Sequence, residues 1–408
     1  GGIDVHTHLE APVGGTTSSD DFETGTRAAA FGGTTCIVDF ATQSKGQSLL
    51  NAYNVWRQKA AKATIDYGLH MIVVDVADGK MEEIDDLVTQ GVTSFKLFTA
   101  YPGTLMVDDA TILKVMLRAR SNGALIAIHS ENGGAIEVLV QKALAEGRTA
   151  PIEHALTRPV IAEAEAVHRV IALARIADVP VYIVHVTSAE ALEEITRARQ
   201  KGIAVFGETC PHYLFLTREE LRRPGFEGAK FVLTPPLRDL ADQEGLWKGL
   251  QDGSLQVVST DHCPFFFATQ KRAGLNDFTK IPNGGPGIEH RLQLLYHFGV
   301  TQGKVSLSKW VDLVAANPAK LFGLYPQKGV LQQGSDADIV IWDPNQKYTI
   351  SAASHHMNID YSMYEGITVQ GNAETVISRG EIIVHHNAWT GKPGRGRYFK
   401  RSPFGVAW

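Results

Sequence analysis

Short runs of near-continuous hydrophobicity, rich in β-branched residues, recur along the chain at residues 2–5, 34–40, 68–74, 94–98, 124–128, 179–184, 204–207 and 255–259. The segments between them carry apolar residues at helical spacing, for instance 81–90, 109–122, 163–176 and 188–201. Strands that are apolar on both faces are those of a parallel sheet covered by helices. Eight such strands alternating with helices predict an α/β fold, a (β/α)8 TIM-like barrel.

Two stretches, 133–159 and 213–251, exceed the minimal repeat and are expected to wall the face of the barrel that carries the chemistry. After Pro318 the texture changes to short strands separated by turn residues, at 329–343 and again at 374–384, which reads as a small β-sandwich. The expected organisation is a barrel over 1–322, a sandwich portion over 323–385 and a tail over 386–408. The chain opens without Met, directly on a strand-like run, so further N-terminal residues are expected to precede it.

Composition narrows the class. Hydrophobic residues are 44% and charged residues 20% of the 408, an ordinary globular balance, and no apolar run is long enough to span a bilayer. The net charge is −5 and the basic residues form no dense block except at 392–401, so neither nucleic acid nor membrane is an expected partner. That basic stretch reads as a solvated arm or a subunit contact. Three cysteines, Cys36, Cys210 and Cys263, lie far apart with no CxxC pair, which excludes a disulfide framework and fits a reducing cytoplasm.

In a (β/α)8 barrel the reacting groups sit at the C-terminal ends of the strands. The first run ends in His6-Thr7-His8, where period-two alternation points both imidazoles the same way. The fifth ends in His129, the sixth in His185 and the eighth in Asp261. One histidine at a strand end is usually a satisfied structural residue; four and an aspartate at one barrel level form a metal-ligand set.

Lys96 stands at the same level on the fourth strand. It is either paired with a carboxylate or, with its pKa lowered, carboxylated on Nζ to an anionic ligand bridging two ions. Two ions about 3.5–4 Å apart would generate a bound hydroxide near neutral pH and polarise a carbonyl. Asp261 is then both ligand and proton carrier. Tyr101, on the turn after the fourth strand, is either an oxyanion donor or a rim aromatic. His262, His355, His356, His385 and His386 read as structural or surface residues, and Cys263 as a packed wall residue.

With their flanks, these residues resemble the dihydropyrimidinase and D-hydantoinase branch of the cyclic amidohydrolases. The resemblance covers nearly the whole chain and rests on GGIDVHTHLE, GVTSFKLFTAYPG, HSENG, ETCPHYLFL, TPPLRD, STDHCPF, DFTKIPNGGPGIE and GSDADIVIWDP. It implies opening of a dihydropyrimidine or 5-substituted hydantoin ring to an N-carbamoyl amino acid. It also implies two Zn2+ per subunit, a carboxylated Lys96, oxyanion stabilisation by Tyr101, and backbone recognition of the ring at Thr234 and Asn283. Thr234 stands where the family usually has Ser.

The resemblance further implies a tetramer or dimer, and a sandwich built from both chain ends. Ala11 and Val13 replace bulkier family residues, which points to a roomier pocket shared with Phe98 and Leu105. A dihydroorotase-like reading is opposed by Glu10, which stands where that enzyme has an arginine for its substrate's carboxylate. Two alternatives remain: an allantoinase-like ureide hydrolase, and a non-catalytic scaffold of the dihydropyrimidinase-related type, in which metal ligands are lost. All six ligand positions are intact here.

Overall fold

A computed structural model describes residues 1–76 and 80–405. Eight strands, β1 (Gly2–Thr7), β2 (Thr34–Thr42), β3 (Asp66–Ile72), β4 (Ser94–Phe98), β5 (Leu125–His129), β6 (Val181–Ile183), β7 (Val205–Thr209) and β8 (Val257–Val258), pair in parallel in chain order. All eight predicted runs are therefore strands. β6 and β8 are shorter than their apolar runs, and beyond each the backbone turns into positive φ, at His185 (φ 39) and Asp261 (φ 49).

The predicted helices follow the strands. α1 spans Asp109–Asn122, started by the Asp108 side chain accepting from Thr111 N and ended by Gly123 at φ 74, a left-handed position that glycine adopts at little cost. α2, Val160–Ala177, buries a stripe of Ala166, Val167, Val170, Ile171, Ala174 and Ala177 against the barrel. α3, Ala189–Gln200, does the same with Ala191, Leu192, Ile195 and Ala198.

Side chains complete the seam between β1 and β8. Arg291, fully buried, donates from Nη1 to Ile3 O (2.9 Å) and Val258 O (2.8 Å) and from Nη2 to Thr34 Oγ1 (3.2 Å). Thr260 donates through Oγ1 to Asp4 Oδ2 (2.6 Å), and His8 N donates to His262 O (2.9 Å). Inside the barrel Ile3, Val5, Cys36, Val38, Leu125, Ala127, Tyr182, Phe206 and Val257 form one core, floored by Phe322 and Leu324.

The appended region is an antiparallel sheet of β9 (Ile339–Thr349), β10 (Thr368–Ser378), β11 (Glu381–His385) and β12 (Ala388–Trp389). β10 alternates buried and partly buried positions, as a strand with one covered face must. Among the described residues this sheet is a single layer. It runs past the expected boundary at 385, because the turn at 386–387 returns the chain alongside β11.

The basic tail is not a free arm. Tyr67 N donates to Arg397 O (2.9 Å), Phe399 N to Tyr67 O (2.7 Å), Ser402 N to Gly323 O (2.9 Å) and Phe404 N to Gly123 O (2.9 Å), strapping it across the barrel floor. Arg401 is buried and donates from Nη2 to Leu69 O (2.6 Å) and Ser94 Oγ (2.8 Å). The solvated-arm expectation fails because these carbonyls need donors that guanidinium groups supply. Residues 406–408 of that expectation lie outside the described residues.

Candidate active site and metal centre

At the C-terminal mouth of the barrel the predicted residues come together. Asp261 Oδ1 lies 3.1 Å from His6 Nε2 and 3.3 Å from His8 Nε2. Lys96 Nζ is 2.9 Å from His6 Nε2, and His129 Nδ1 is 2.9 Å from His185 Nε2. In β1 the register shifts between Asp4 and Thr7. Ile3 and Val5 belong to the interior core, yet His6 and His8 also reach the centre, as a break in strict alternation allows.

The left-handed conformations at Tyr101 (φ 68), His185 and Asp261 cost energy for side-chain-bearing residues. Strain of this kind clusters where geometry serves function.

The electrostatics suit ligation. Burial lowers the pKa of His8 to about 4 and that of His185 well below its usual value, so both keep lone pairs at neutral pH. His129 is also lowered by burial. Burial and Lys96 oppose a proton on His6, but Asp261 and Glu208 outweigh them and raise it. Burial alone would raise Asp261, yet His6 and His8 hold the carboxyl well below the usual range. Burial brings Lys96 down to about 8 against the pull of Asp261 and Glu208, leaving a fraction of neutral amine free to react near neutral pH.

Two carboxylates that the sequence did not single out orient the candidate ligands. Glu208, near the end of β7, contacts His6 Nδ1 and accepts from Tyr182 Oη (2.9 Å) and His185 N (3.2 Å). Glu131 lies 2.8 Å from His129 Nε2. Despite its burial, His129 and Arg158 keep it ionised below the usual range. Such partners fix which imidazole nitrogen faces a metal. The legible signal for Glu208 was its place at a barrel strand end.

Donor chemistry and spacing fit a divalent ion. Around a tetrahedral ion with bonds of about 2.0–2.1 Å, ligand atoms stand about 3.3 Å apart, close to the spacings of Asp261 from His6 and His8. A lysine ammonium does not fit such a centre; its carbamate does.

A cavity of about 700 Å³ opens above these groups, walled by Phe98, Tyr101, Leu105, Thr234 and Asn283 and by the hairpin of Pro12–Val13 with Thr16–Thr17. Ala11 lines it too, beside Val13, Phe98 and Leu105 as the sequence suggested. The insertion at 213–251 supplies Thr234, and the insertion at 133–159 backs it through His154, whose Nε2 lies 3.1 Å from Thr234 Oγ1. The half-buried Tyr101 stands at this wall beside Thr234 and Asn283, and desolvation of its phenol pushes the pKa up to about 12.

The histidines set aside as structural are so placed. His262 Nε2 pairs with Asp20 Oδ2 at 3.0 Å, away from the centre. His356 stacks on Phe31, and His385 meets Thr375. Cys263 is buried, unpaired and part of the cavity wall.

The sequence profile of the amidohydrolase family matches residues 1–383. A D-hydantoinase of Streptomyces coelicolor is 54% identical over 98% of this chain and 86% of its own length, and one from Geobacillus stearothermophilus is 49% identical over 100% and 87%. The crystal structure of dihydropyrimidinase from Brevibacillus agri superposes with a TM-score of 0.98 at 53% identity, covering 99% of this chain and 88% of that one. This chain belongs to the amidohydrolase family, in its dihydropyrimidinase and D-hydantoinase branch.

Proposed function

We propose that this chain opens a cyclic amide by hydrolysis, turning a 5-substituted hydantoin or a 5,6-dihydropyrimidine into an N-carbamoyl amino acid. The observation that carries the reading is the convergence of His6, His8 and Asp261 on one point beneath the cavity, in a chain whose relatives are named hydantoinases and dihydropyrimidinases.

His6, His8 and Asp261 would hold one zinc ion and His129 and His185 a second, with Lys96, carboxylated on Nζ, shared between them. When bound, the pair supplies Lewis acidity toward the ring carbonyl and lowers the pKa of water.

The chain's own groups do the rest. Asp261, held ionised, accepts the proton of the attacking water and returns it to the ring nitrogen as the carbon–nitrogen bond breaks. Tyr101, neutral well above physiological pH, donates to the oxygen that gains charge. Backbone groups at Thr234 and Asn283 bind the imide edge, so the Ser-to-Thr exchange at 234 is mild. The hairpin, with Ala11, Phe98 and Leu105, faces the ring substituent.

The test is turnover of dihydrouracil beside D- and L-5-substituted hydantoins, before and after chelation and zinc readdition. Ring opening that chelation removes and zinc restores is expected, with the D-hydantoins opened faster, as the relatives' names suggest. Persistent turnover after exhaustive chelation would sink the metal assignment, and inertness toward every ring would sink the function.

The same reading includes a homo-oligomer, tetramer or dimer, checked by sedimentation velocity. It also includes a cytoplasmic setting, with which the three buried, unpaired cysteines accord. Among the described residues no helix is long and apolar enough to cross a membrane.

A further inference from the structure

Lys271 has no place in the chemistry above, yet it is a fully buried lysine with no carboxylate in contact. Its ammonium donates to Val232 O (2.9 Å), Pro282 O (3.0 Å) and Gly284 O (2.7 Å). Burying a cation is expensive unless its donors are met, and here three carbonyls meet all three. Burial brings its pKa down to about 7.

The three carbonyls belong to the two segments that carry the ring-reading positions. Val232 lies two residues before Thr234, and Pro282 and Gly284 flank Asn283. In a trans peptide, C=O and the following N–H point in opposite directions. Because Pro282 C=O is turned toward Lys271, Asn283 N–H is turned away from it. Gly284 N donates to Val232 O at 3.1 Å, so the Asn283 C=O is likewise directed away from Val232.

One donor and one acceptor of Asn283 therefore face away from the lock, and Asn283 lines the cavity. That pair matches the –CO–NH– edge of a cyclic imide. Gly284 is what allows the close fit: its φ is 145, and a Cβ there would stand 2.3 Å from Cys263 O.

We propose that Lys271 is a positioning residue for ring binding, its ammonium locking the Val232 and Pro282–Gly284 backbones so that Asn283 presents its peptide groups to the imide edge of the substrate. This deepens the proposed ring-opening function and rests on it.

The experiment compares Lys271→Met, which keeps the length and removes every donor, and Lys271→Gln, which keeps two, with the zinc-loaded wild-type protein on a D-5-substituted hydantoin. Metal content and circular dichroism are recorded for each. For Lys271→Met, KM is expected to rise about tenfold or more, while kcat per metal-loaded site changes less than about threefold and zinc content is unchanged. Lys271→Gln is expected to fall between.

A KM within twofold of wild type in folded, metal-loaded Lys271→Met overturns the proposal. Failure of both variants to fold, or loss confined to kcat with KM unmoved, also overturns it in favour of a purely structural lysine. Should the wild type open no ring at all, the functional reading fails separately, and calorimetric Kd values for the same hydantoin carry the Lys271 comparison.

Discussion

Buried charge collects at both ends of this barrel, and the two ends handle it differently. On the floor, guanidinium and ammonium groups meet carbonyls, hydroxyls and carboxylates. Arg291 bridges Ile3 and Val258, Arg401 caps Leu69 and Ser94, and Lys328 meets Asp66 (2.9 Å), Asp336 (2.9 Å) and Asp338 (2.7 Å). At the mouth, basic groups are pressed against one another: Lys96 against His6, and His129 against His185. Basic groups crowded against one another, in a chain that elsewhere sets its buried cations against oxygens, mark where structure has been given over to function. The floor is built for stability and the mouth for chemistry.

Substitutions that separate the two ends test this contrast. The largest effect is expected from Lys96→Ala, which should abolish ring opening and lower bound zinc while leaving the denaturation midpoint close to wild type. Near-normal turnover in a metal-replete variant would break the bridging role. Tyr101→Phe removes the proposed oxyanion donor and should lower kcat by about 10²–10³-fold with zinc content intact. Stopped-flow or steady-state kinetics with metal analysis decides it.

Glu208→Gln, which removes the charge facing His6 and alters the carboxylate that Tyr182 and His185 also meet, should cost about 10–100-fold in zinc affinity or activity, read by competitive chelator titration. The smallest effect on chemistry is expected on the floor. Arg401→Met strands buried carbonyls and should reduce stability by about 1–3 kcal/mol, measured by urea denaturation, with kcat per folded molecule unchanged. A Lys96-like loss of turnover in Arg401→Met would erase the distinction between the ends.

Much of the mouth was legible because its candidate ligands sit at predictable points of a repeating pattern. His6, His129, His185 and Asp261 each end an apolar run, so local periodicity and the barrel rule suffice to place them. Glu208 obeys the same rule but escaped notice, since a glutamate at a strand end looks like a surface residue until His6 is known to face it. Lys271 was beyond reach, because its meaning lies in three carbonyls from segments far along the chain. The tail shows the converse error: its charge pattern reads as solvated, whereas the fold buries Arg401 against the carbonyls of Leu69 and Phe322.

By itself the sequence determined the strand count, the barrel and the six candidate ligands, because these follow from local hydrophobic period and from residue identity at strand ends, while the resemblance of its longer motifs pointed to the family. Only the tertiary structure decided which carboxylate orients which imidazole, how side chains close the seam between β1 and β8, where the basic tail lies and what Lys271 holds. Those depend on contacts between segments distant in sequence, and no local pattern encodes a partner that arrives only when the chain has folded.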